Sequence, residues 1–317
     1  MAREIFIPNS ASIRNAGHVL RGVDWTQDKD EVTIRFHPRY CHLQPWVMSM
    51  LAAWALRHRA AGGTIKVENE HRAQYAWRFN LQDYLGVTVA NPPTSHDETG
   101  RFIALRTVKT STDLAELLAD IVPLLHIEGE PAKGVLYAVS EMVRNVLEHS
   151  HAKDGAVVCA QNFRAKRAKR SYVSIGIADC GMGVRKSLGR NHPHSTDSKA
   201  VLHAIRAGVT GALGGPYGSS DNAGAGLFIT RRLCDATNGY FALGSGDAIF
   251  RTSLAAKRPR DESQVRSIGS FPGTVVSVEI GLDPDSDFDT TLGLARHAFG
   301  EQMDKRRAEV GQRVRFS

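Results

Sequence analysis

Between Ala132 and Ser150 the chain reads as one helix with two different faces. Val135, Leu136, Val139, Val143, Val146 and Leu147 recur at helical spacing and make one apolar stripe. Glu141, Asn145 and His149 stand four apart and rise as a polar ladder on another face. A carboxylate one turn from a carboxamide can orient a water and hold a metal ion through oxygen. Pro131 falls in the first turn, where its missing N–H costs nothing. Alone, this is an amphipathic core helix with a solvated edge. Two glycine-rich segments downstream change that weighting.

The first segment is Asp179-Cys180-Gly181-Met182-Gly183, after the apolar run Tyr172–Ile177. Small residues there let a flat ligand lie against the backbone, and the aspartate can accept from an exocyclic amine. The second is Gly224-Ala225-Gly226-Leu227, opening a helix predicted to run to about Thr237. Its glycines leave N–H groups free at a helix N-terminus, where partial positive charge favours phosphate. Between the two lie about forty residues with a helical stretch from Ser198 to Ala207, then Gly208, Gly211, Gly214, Gly215 and Gly218. So much glycine suits a mobile cover rather than a packed element.

The rest of the chain frames these motifs. Strands are expected at 32–36 and 64–67, with helices at 44–61 and 73–84, a parallel pair joined by a crossover. Residues 91–100 carry two prolines and no apolar period, so they read as a linker. A strand at 102–106 follows, then a helix from a cap at Ser111-Thr112-Asp113 to Leu125. Strands are expected at 156–160 and 172–177, then at 240–243, 248–250 and 273–280. Residues 288–307 read as a peripheral helix, followed by a basic tail.

Taken in order, Glu141-x-x-x-Asn145, Asp179-x-Gly181-x-Gly183, Gly224-x-Gly226-Leu227 and Gly273-Thr274 resemble the GHKL ATPase superfamily of gyrases, chaperones, histidine kinases and mismatch-repair proteins. The resemblance covers residues 101–282. It implies a Bergerat-type α/β sandwich, a mixed and largely antiparallel sheet with helices on one face, which binds ATP and Mg²⁺. It implies that Asn145 is the metal ligand and Glu141 the catalytic base. It further implies that Asp179 accepts from the adenine amine with Thr274 in support, and that Gly181 and Gly183 admit the adenine. Gly224, Gly226 and Leu227 would frame the phosphates. His149 reads as a packing or capping residue, Arg144 as a surface ion pair and Cys180 as a small filler.

Residues 1–90 resemble a STAS domain, the fold of anti-sigma-factor antagonists. The residues that carry this are the helix ending in Arg57-His58-Arg59-Ala60-Ala61-Gly62-Gly63, the strand after it, and Leu85-Gly86-Val87. Such antagonists bear a phosphorylatable Ser or Thr where this chain has Pro45-Trp46. Ser49, the nearest hydroxyl, lies inside the helix, which leaves docking or scaffolding as the expected role.

Three readings of function follow. The first is a slow ATPase whose nucleotide-dependent lid closure regulates association with a protein partner or a second copy. The second is an anti-sigma-type serine/threonine kinase acting on a STAS-type partner. The third is a nucleotide-gated binding module without turnover. A histidine kinase is disfavoured, since no helical hairpin with an acceptor histidine precedes the domain. The formal net charge is +7, and the excess sits in clusters at 164–170, 257–260 and 305–315. They lack the interleaved aromatics that stack bases, so solvated loops are expected rather than a nucleic-acid surface. Cys41, Cys159, Cys180 and Cys234 lie far apart with no CxxC pair, and no apolar run would span a bilayer. Both features point to the cytoplasm.

Overall fold

A computed structural model describes residues 3–21, 23–90, 101–165, 170–189, 192–209, 224–252, 264–282 and 287–315, the last eleven by backbone alone. The proposed linker, Lys257 to Arg260, and the glycines Gly211, Gly214, Gly215 and Gly218 lie outside them.

The chain opens with β1 (Arg3–Ile7), β2 (Ser10–Ala11) and α1 (Ala16–Leu20), followed by β3 (Glu31–Phe36), β4 (His42–Leu43), α2 (Pro45–Ala60) and β5 (Thr64–Glu68). β1, β3 and β5 form a parallel sheet in that order. Strand β1 is an addition to the expected pair, and its signal is Ile5 and Ile7, buried alternately with exposed Glu4 and Phe6. The helix expected over 73–84 is two short ones, α3 (Gln74–Trp77) and α4 (Leu81–Leu85). Asn80 separates them with a left-handed φ of 61°.

The second part begins with β6 (Phe102–Val108), α5 (Ser111–Leu125), α6 (Gly129–His149), β7 (Ala156–Phe163) and β8 (Tyr172–Asp179). The cap of α5 is Thr110, one residue earlier than expected, in a reciprocal box: Asp113 N donates to Thr110 Oγ1 at 3.1 Å and Thr110 N to Asp113 Oδ2 at 2.9 Å. Then come α7 (Gly183–Leu188), α8 (Asp197–Ala204), α9 (Gly226–Ala236), β9 (Tyr240–Arg251), β10 (Val265–Gly281) and α10 (Phe288–Arg315). The two strands expected at 240–243 and 248–250 are one, and β10 starts earlier than expected, with irregular register between Ser267 and Thr274. The tail expected after 307 continues as helix to Arg315.

Five strands make one sheet in the order β6-β7-β8-β10-β9, and every pairing is antiparallel rather than mixed. Helices α5, α6 and α9 cover one face, where Val139, Val143, Ile175, Ile177, Val276 and Val278 share a core. Helices are not confined to one face as expected. Helix α2 covers the second face, and Val47, Met50, Val157, Cys159, Ala178 and Val275 share another core. This explains why β7 is apolar on both sides of the strand rather than alternating. Gly176 makes the approach possible, because a Cβ there would collide with the carbonyl of Pro45. Ser49 is fully buried and donates to the Gly176 carbonyl at 2.9 Å, so a kinase cannot reach it while α2 is docked. Among the described residues no helix is long and apolar enough to cross a membrane.

Candidate functional site

The site lies where the end of β8 meets α6 on the sheet face carrying α9. Asp179 closes β8 and is 1% exposed. The Gly181 N–H donates to its Oδ1 at 2.7 Å, and the Thr274 hydroxyl supports it from the position directly opposite on β10. Burial outweighs these bonds and pushes its pKa up to about 7. A buried carboxylate with so few donors is well suited to a ligand that brings another.

The glycines after Asp179 are needed for space. A Cβ on Gly181 would collide with the Ser150 carbonyl, which also accepts from Met182 N at 2.8 Å. The loop is thereby fastened to the end of α6. Gly183 starts α7 at a φ of 73°, and a Cβ there would lie 2.9 Å from Ser245 Oγ. Ser245 was not visible as a site residue in the sequence. Its hydroxyl accepts from Val184 N at 2.9 Å and donates to the Gly273 carbonyl at 2.7 Å, joining α7, β9 and β10. Gly273 has a φ of 105°, and its missing side chain leaves room for the Asp179 carbonyl.

The other end of the site is built by α6 and α9. Glu141 is half-buried, and a Cβ on Gly226, the first residue of α9, would collide with its carboxylate. Burial is the main cause holding the Glu141 pKa above its usual range. The Glu148 charge raises it further, and the exposed Arg144 opposes. Asn145 is half-buried one turn further on, and its Nδ2 is buried with no hydrogen-bond partner. Gly224 has a φ of 78°, and Leu227 packs partly buried against the α6 core. His149 lies 3.8 Å from Glu148. Burial pushes the Cys180 thiol well above the usual range, which suits a filler rather than a nucleophile.

The structure thus brings Glu141 to Gly226, and Asp179 to Gly181 and Thr274. Adenine nucleotide and Mg²⁺ suit these residues on two counts. The buried Asn145 Nδ2 is an unused hydrogen-bond donor on a carboxamide whose oxygen is of the kind that ligates Mg²⁺, and the glycines leave space beside a desolvated acceptor.

Residues 108–242 match the family model described as a histidine kinase-like ATPase domain. No match to the chain was found among curated proteins or solved structures.

Proposed function

Since residues 108–242 match a histidine kinase-like ATPase domain, the ATP-binding domain of the GHKL superfamily, we propose that this protein binds ATP and is a slow ATPase whose nucleotide state governs association with a protein partner or a second copy. The observation that carries the reading is the Glu141 carboxylate set against the first residue of α9. A base beside a helix N-terminus sits where a γ-phosphate and its attacking water would meet. In this reading Asn145 holds Mg²⁺ through its amide oxygen. The bound metal would supply positive charge to the phosphates. Glu141 orients the water and takes its proton, and burial makes it a stronger base than an exposed carboxylate. Asp179 fixes the purine through its exocyclic amine, with Thr274 and the Gly181 N–H holding the carboxylate in place.

The anti-sigma-type kinase remains the second reading, favoured by the likeness of residues 140–150 to that helix. The burial of Ser49 directs it to a hydroxyl on another chain rather than on the STAS-like N-terminal unit. ATP labelled on its γ-phosphate separates the two. The ATPase reading expects the label as free phosphate, and Glu141→Gln slowing release by about a hundredfold or more while keeping nucleotide affinity. Label transferred to protein, or a Glu141→Gln variant with full turnover, would overturn it.

A further inference from the structure

Several contacts outside the nucleotide motifs converge on the phosphate end. A Cβ on Gly224 would lie 2.6 Å from the Val209 nitrogen, so the chain leaves and rejoins the described structure through one narrow neck. Ala207, Ala225 and Phe228 flank this neck and are buried in a small apolar cluster apart from both main cores. The other wall of that cluster is α10, through Leu292, Ala295 and Phe299. The Phe228 and Phe299 rings are 6.0 Å apart. Further along α10, Met303 lies against the backbone of Gly208, where a Cβ would collide with its sulfur. The start of α10 is tied to the first turn of α6: Glu130 Oε2 accepts from Phe288 N at 3.1 Å, and Lys133 bridges to Asp289 at 2.6 Å. Phe288 also packs on Tyr137, one turn before Glu141, with ring centroids 6.3 Å apart.

We propose that α10 is the positioning element for the phosphate end of the nucleotide site, with Phe299 and Met303 as its working side chains. The inference rests on the ATP-binding reading above. An apolar wedge behind the neck and the first turn of α9 holds their N–H groups in place before the phosphates arrive, so less ordering is left to the binding step. The base end is held by other groups, Ser150, Ser245 and Gly273. Loss of α10 packing should therefore be felt by phosphates and not by the purine. Coupling is reciprocal, so bound nucleotide must in turn strengthen the docking of α10.

The test uses the full chain, titrated with Mg-ATP and with adenosine, in the wild type and in Phe299→Ser and Met303→Asp. The expected result is about a tenfold loss of Mg-ATP affinity with adenosine affinity unchanged. Amide hydrogen exchange of the wild type supplies a second readout that needs no variant. Residues 292–303 should exchange more slowly with Mg-ATP and not with adenosine. Unchanged Mg-ATP affinity in a folded variant, equal loss of both ligands, or exchange insensitive to Mg-ATP overturns the role of α10 alone. A wild type that binds neither ligand overturns the ATP-binding reading with it.

Discussion

Asp179 is the residue whose chemistry is most sharply defined. With a pKa of about 7 in the folded chain and an ordinary value of 3.8, it keeps between those pH values a proton that the unfolded chain has released. A carboxyl raised in this way contributes most to stability on the acid side. That contribution declines as pH rises from about 4 to about 7, by roughly 4 kcal/mol. Melting curves of Asp179→Asn should lose this slope, and an unchanged slope would place the titrating group elsewhere. If Asp179 receives the purine amine as proposed, Mg-ATP affinity should fall by up to about tenfold per unit below pH 7, because the ionised carboxylate is the better acceptor. The proposed site residues Glu141, Asn145 and Gly226 could be picked out because their signals are local in sequence, a four-residue spacing and a glycine pair. Ser245 was not. Its partners Val184 and Gly273 are 61 and 28 residues away, and only strand register brings them together.

At the scale of elements, amphipathic ones were readable and two-sided ones only by half. The stripe of α6 announced both its helix and its buried face. Helix α2 was readable as a helix, but Trp46, Met48, Met50 and Trp54 bury all round it, because it fills the gap between two sheets. Gly176→Val should break that contact. The added side chain meets the Pro45 carbonyl, at a cost of about 1–3 kcal/mol in urea unfolding. A variant of wild-type stability would show that α2 does not rest there. The rear of α10 escaped notice because residues 308–315 include Gly311 and offer only Val310 and Val314 as larger apolar residues, too few to set a period. Helix α7 escaped because six residues between glycine-rich stretches give too short a pattern.

For the whole molecule, the sequence suggested two domains across a linker, whereas the residues of the first ninety share a core with the large sheet. Trp25 packs on Phe271 with centroids 6.4 Å apart, and its backbone N–H donates to the Ser270 carbonyl at 2.9 Å. Arg251 reaches the Ile13 carbonyl at 3.2 Å. Calorimetry should show one cooperative transition, and two resolved transitions would mean that the parts unfold independently. A single transition would make the N-terminal ninety residues a fixed back wall for the large sheet rather than a tethered module. The most direct measurement is a crystal structure of the chain grown with Mg²⁺ and a non-hydrolysable ATP analogue. The account predicts the purine amine on Asp179, the metal on Asn145 and the phosphates at the first turn of α9 beside Glu141. A nucleotide bound on another surface, or a crevice beside α6 that stays empty at saturating ligand, would contradict it.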